Sequence, residues 1–140
     1  MYKIKQGKHR FTPRYINRLE PGEIFVFGSN MEGMHGGGAA RTAYELFGAQ
    51  WGRGVGLQGQ SYAIPTMHGG VEAIRPYVDD FIAFAADHAD DLFFYVTRVG
   101  CGRAGFAAGQ IAPLFLPAMA LPNVCLPEDF VDILAAFDLL

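Results

Sequence analysis

Charge is scarce in this chain: Asp, Glu, Lys and Arg make up 18% of its 140 residues, against 51% hydrophobic ones. A disordered chain needs the reverse balance. Cysteine is scarcer still, and Cys101 and Cys125 alone form neither a disulfide framework nor a four-ligand zinc site. Long apolar runs are missing as well. The longest, 111–121, is interrupted by Pro113 and Pro117 and is too short to cross a bilayer. No apolar segment follows the charges of the N-terminus, so a secretory signal is not expected and a reducing, cytoplasmic location is. What is abundant is glycine, at 18 residues, which together with 8 prolines excludes a long coiled coil. The length fits one domain with one core.

Acid is absent from the first 18 residues, which hold Lys3, Lys5, Lys8, Arg10, Arg14 and Arg18. The rest of the chain holds the other 5 basic groups and all 14 acids. This divides the sequence into a basic arm, 1–20, and an acidic domain, 21–140. The arm reads either as a solvated terminus or as a contact for nucleic acid. The domain is too acidic for a general nucleic-acid groove, and no membrane partner is expected.

Four strand-like runs alternate with four helix-like runs. Ile24-Phe25-Val26-Phe27, apolar on both faces, suits a buried parallel strand. Ser61–Ile64, Leu92–Thr97 and Val124–Leu126 give three more. Ala39, Ala43, Leu46 and Phe47 predict a helix closed by Gly48 in a left-handed cap. Ile74, Tyr77, Val78, Phe81, Ile82 and Ala85 predict a second, in which Pro76 fits only the first turn. A short helix from Ala107 towards Phe115 should end or kink at Pro113. Pro127-Glu128-Asp129 opens the last helix, with Phe130, Leu134 and Phe137 as its buried face. This order predicts a three-layer α/β fold: a largely parallel sheet of about four strands, flanked by helices.

Ligands of such sheets bind outside the carboxyl ends of the strands. The glycines gather in the loops that leave those ends. Gly36-Gly37-Gly38 precedes a helix start, where backbone can approach a ligand and free N–H groups can hold phosphate. Gly100-Cys101-Gly102-Arg103-Ala104-Gly105 repeats the arrangement after the third run. Flexible turns are the plain alternative for each loop; two on one sheet edge favour a diphosphate clamp. Neither loop has the Gly-Lys-Ser/Thr ending of a P-loop, nor the Rossmann spacing with its later acid.

Phe25-Val26-Phe27-Gly28-Ser29-Asn30 followed by Gly36-Gly37-Gly38-Ala39-Ala40 resembles the strand–Asn–glycine loop of macro domains. The stretch from Phe94 to Phe106 resembles their second phosphate loop, and Val99-Gly100-Cys101-Gly102 is closest to the branch of terminal ADP-ribose protein glycohydrolase. The resemblance covers roughly 24–140 and agrees in the order of elements. Macro domains bind ADP-ribose or its derivatives, and some remove ADP-ribose from proteins or nucleic acids. The resemblance therefore implies a macro-like fold and an ADP-ribose-type small molecule, or an ADP-ribosylated macromolecule, as partner. It implies that Asn30 touches the distal ribose, with Gly28 and Ser29 beside it. Gly36, Gly37 and Gly38 would approach that ribose and the neighbouring phosphate. Gly100, Cys101, Gly102, Arg103, Ala104 and Gly105, with Phe106 nearby, would hold the diphosphate.

Two departures bear on catalysis. That branch uses a Lys just after the second strand and an Asp just after Gly-Cys-Gly; here those places hold Thr66-Met67 and Arg103-Ala104. Ala104 also stands where macro domains often stack an aromatic ring. Hydrolysis would then fall to water positioned by Asn30 and the loop amides. His35 is the nearby group able to move a proton at neutral pH; a ligand-orienting or exposed loop residue is its plain reading. His68 and Cys101 are weaker candidates, and His88 suits a helix C-terminus. Asp79-Asp80 and Asp90-Asp91 read as solvated helix edges, with no metal or cofactor expected. The rival class is an interaction module that uses the basic arm and has purely structural glycine loops.

Overall fold

The computed structural model describes residues 11–137, so Lys3, Lys5, Lys8 and Arg10 of the basic arm lie outside the described residues. The elements run β1 (Glu23–Ser29), α1 (Gly38–Leu46), β2 (Gly56–Gln58), β3 (Ser61–Pro65), α2 (Val71–Asp87), β4 (Phe93–Val96), α3 (Ala108–Ile111), a 3₁₀ stretch (Ala112–Ala120), β5 (Val124–Cys125) and α4 (Glu128–Phe137). The sheet order is β2-β3-β1-β4-β5. β1 lies parallel to β3 and β4, and β4 lies parallel to β5. Only β2 runs against its neighbour β3. The result is an α/β fold with a mostly parallel, mixed sheet of five strands, one more than the four expected.

Strand alternation divides the core between the two faces. Ile24, Val26, Tyr62, Ile64, Phe94 and Val96 meet α2, the 3₁₀ stretch and α4. Phe81 centres that layer, with Phe94 and Tyr62 rings 5.4 Å and 5.2 Å away. Each such fully buried side chain contributes about 1.5–3 kcal/mol. On the other face Phe25, Phe27 and Ala63 pack against Ala40, Ala43 and Phe47 of the α1 region.

Several local expectations change. Pro76 sits in the second turn of α2, because the helix starts at Val71. The position is exposed, and water can take the carbonyl that the missing N–H leaves free. Pro113 and Pro117 turn the expected end of the third helix into the 3₁₀ stretch. Leu46 and Phe137 are 54% and 40% exposed, so the buried faces of α1 and α4 are narrower than their spacing suggested. Gly48 does adopt the left-handed conformation, at φ 78°.

The second half of the basic arm belongs to the fold. Phe11 bridges Leu126 in parallel, and the Thr12 hydroxyl donates to the Cys125 carbonyl at 3.0 Å. Ile16 and Leu19 pack on the sheet face formed by Phe93, Tyr95 and Cys125. Among the described residues, no helix is long and apolar enough to cross a membrane.

Candidate functional site

Parallel pairing brings the ends of β1, β3 and β4 to one edge, and Gly28 marks where their loops meet. A Cβ there would lie 3.3 Å from the Gly100 amide nitrogen and 3.6 Å from the Thr66 side chain. Thr66 is buried, and its amide donates to the Ser29 carbonyl at 2.9 Å. It therefore fastens β3 to the end of β1. The Ser29 hydroxyl is also buried and donates to the Gly54 carbonyl.

The loop after β1 is braced along its length. The Asn30 amide group donates to the Met34 carbonyl at 3.0 Å and accepts from the Met34 N–H at 2.8 Å. Gly33 donates to the Asn30 carbonyl at 3.0 Å and accepts from Gly52 N–H at 2.9 Å. His35 is 1% exposed, edge-on to Phe27 at 5.3 Å. Its Nε2 lies 2.9 Å from the Gln50 carbonyl and 3.0 Å from that of Arg53, so it carries the proton and serves both oxygens. Its Nδ1 is buried without a hydrogen-bond partner. The ring is a tie behind the loop, and it does not face the space over the glycines.

That tie yields an expected result. His35→Ala should destabilise the fold by about 3–5 kcal/mol, through the lost ring volume and two stranded carbonyls. Denaturant unfolding reads this directly. A variant as stable as wild type, yet defective with a ligand, would move the ring's role to the site itself.

Gly36, Gly37 and Gly38 then lead into α1. Gly37 is the N-cap in extended conformation, with no side-chain cap. Gly38 has φ +58°, and neither Gly36 nor Gly38 has an atom within 4 Å of a Cβ position built on its backbone. The N–H groups of Gly36 and Gly37 donate to no group among the described residues. Like the first turn of any helix, they are free for an acceptor.

The loop after β4 faces them. Its tight turns are internal: Gly105 N–H donates to the Gly102 carbonyl at 3.0 Å and Phe106 N–H to that of Gly100 at 2.9 Å. The amides of Gly102, Arg103 and Ala104 have no such partner among the described residues, and the space beside Gly102 and Gly105 is open. Phe106 is half-buried against the core and lies behind Gly100, 3.6 Å from its would-be Cβ. Arg103 closes the gap between the loops, its Nη2 lying 3.6 Å from a Cβ built on Gly37. The two glycine loops thus form one cradle.

Neither thiol is activated. Burial pushes the Cys101 thiol up, with Arg98 opposing, and burial with Glu23 nearby pushes Cys125 up to about 12. His68 is exposed and its ring lies 5.5 Å from that of Tyr77. His88 is the C-cap of α2 and pairs with Asp91 at 3.1 Å. Asp79, Asp80, Asp90 and Asp91 are all exposed.

One feature escaped the sequence reading. A cleft of about 580 Å³ opens at the same sheet edge, between Thr12–Tyr15, Thr97–Arg98 and the start of α4. Arg98 spans it to Asp129 at 3.0 Å. It shares Thr97 and Arg98 with the stem of the second glycine loop, so cleft and cradle adjoin. Its signal was the apolar pair Ile16 and Leu19, which anchors the arm beside the sheet.

The chain matches no family model, no curated protein and no solved structure.

Proposed function

We propose that this protein binds an ADP-ribose-type nucleotide, its diphosphate held between the start of α1 and the 100–105 loop. The observation that supports this reading is the convergence of two glycine loops with unused N–H groups and open space above them. Phosphate oxygens accept hydrogen bonds from such groups, and the helix dipole adds to the attraction. Local donors matter here because the chain as a whole carries a net charge of −3 and repels anions at a distance. The adjoining cleft gives the nucleoside end a place beyond the diphosphate. Asn30, braced to Met34 through one bond at each end of its amide, keeps a second donor and lone pair for a ribose hydroxyl.

Release of ADP-ribose from a modified macromolecule would rest on water positioned by the loop amides and Asn30, since His35 is enclosed and engaged. The interaction-module alternative depends on the basic arm, and four of its six basic residues (Lys3, Lys5, Lys8 and Arg10) lie outside the described residues.

Calorimetry with ADP-ribose, ADP, AMP, NAD and ribose 5-phosphate tests the reading. ADP-ribose should bind about tenfold or more tightly than AMP, the margin of one set of charge-assisted hydrogen bonds to a second phosphate. ADP-ribose binding no tighter than ribose 5-phosphate overturns the proposal.

A further inference from the structure

We infer that Arg103 is a specificity-determining clamp that closes over the ligand's phosphates and makes the cradle select diphosphates over neutral nucleosides. The inference rests on the nucleotide reading above and adds the residue that sets the ligand's charge class. Its basis is where Arg103 lies among the arginines that are left unpaired. Arg41 pairs with Glu45, Arg75 with Glu72 and Arg98 with Asp129, while Arg53 donates to Gln50 and the Leu57 carbonyl. Arg103 has no hydrogen-bond or ion-pair partner among the described residues, and neither have Arg14 and Arg18 of the N-terminal segment. Arg103 nonetheless reaches from one glycine loop to the other, to within 3.6 Å of a Cβ built on Gly37.

Unused donors gather in the two loops that this guanidinium joins. The N–H groups of Gly36, Gly37, Gly102 and Ala104 have no acceptor among the described residues and, like the Arg103 fork, can only donate. A sugar hydroxyl needs an acceptor for its own proton, whereas phosphate oxygens only accept. A planar fork also offers two parallel N–H groups matched to two phosphate oxygens, a fixed geometry that a lysine ammonium lacks. Because Arg103 has no partner to give up, a ligand gains this contact without breaking another. Gly37 leaves the space in which the two would meet.

The test is calorimetry on the full chain, wild type against Arg103→Gln and Arg103→Lys, with ADP-ribose and adenosine as probes at several salt concentrations. Arg103→Gln should weaken ADP-ribose binding by about ten- to hundredfold, the range for a hydrogen bond to a charged group, and leave adenosine unchanged. Arg103→Lys should recover part of the loss, and the salt dependence should flatten in Arg103→Gln alone. The thermal midpoint should hold in both variants, because the side chain supports nothing else. ADP-ribose affinity within about twofold of wild type in Arg103→Gln, with the same salt dependence, overturns the clamp while the nucleotide reading stands. A fall in the midpoint of both variants overturns it too, by placing Arg103 in the support of the fold. Failure of the wild type to bind ADP-ribose removes the reading and the clamp together.

Discussion

Gly37→Glu is expected to abolish binding of ADP-ribose and leave the fold intact. The backbone at Gly37 is extended, at φ −156°, so it accepts a side chain without strain. A Cβ there meets only the Arg103 guanidinium, at ordinary contact distance. The new carboxylate would enter the cradle, take the arginine as its partner and oppose any phosphate that followed. Two like charges about 4 Å apart near a protein surface repel by roughly 4 kcal/mol, enough for a loss well beyond a hundredfold. An acid at a helix start contributes about 0.3–1 kcal/mol of stability, so the melting temperature should hold or rise slightly. Gly37→Ala adds bulk without charge and should retain binding within a few-fold. Titration of both variants decides the matter: undiminished affinity in Gly37→Glu would remove the cradle from the binding site.

The second large effect concerns the fold beneath the cradle. Gly33 has φ +70°, and a Cβ on it would lie 2.2 Å from the Arg53 nitrogen and 2.4 Å from the Gly52 carbonyl carbon. Gly54 is as confined, its would-be Cβ 2.0 Å from the Asn30 oxygen. Every obstructing atom is backbone, so no rotamer change can relieve the clash. Gly33→Ala should therefore drive the 30–35 and 50–54 loops apart, at a cost of about 4 kcal/mol or more. For a chain of this size that lowers the melting temperature by roughly 10 °C or more. Nucleotide affinity should fall with it, since the displaced loop leads directly into Gly36–Gly38. Calorimetric melting of Gly33→Ala against Gly36→Ala, where the space is open, is the comparison to make. Equal midpoints would mean the two loops do not pack as described.

The elements carried by strong local patterns were legible from sequence. β1 and β4 are continuous apolar runs, and the parallel order they implied is what brings both glycine loops to one edge. β2 was not legible. Gly56-Leu57-Gln58 is three residues with glycine first and no β-branched member, so its propensity is poor. It is held by a buried side chain: Gln58, 2% exposed, accepts from Gln50 N–H at 2.7 Å and donates to the Arg53 carbonyl at 3.1 Å. His35 was misplaced for a related reason. Between Met34 and Gly36 it has no periodic neighbours, and its burial depends on the 50–53 loop coming back across the chain. The contact of Arg103 with the first loop likewise depends on tertiary placement; sequence offered only the nearby departure from the family pattern. The cleft was hidden because residues 11–20 read by charge as an arm, while their few apolar side chains decided their position.

The bracing of the 30–35 loop has a kinetic consequence. Asn30, Gly33 and His35 fix this segment through six hydrogen bonds to Met34, Asn30, Gly52, Gln50 and Arg53. The start of α1 thus inherits the stiffness of the interior, and little chain freedom remains to be lost when a ligand arrives. Encounter then needs no ordering of this loop, so ligands that share a diphosphate should associate at similar rates. What separates a strong ligand from a weak one is how long each stays.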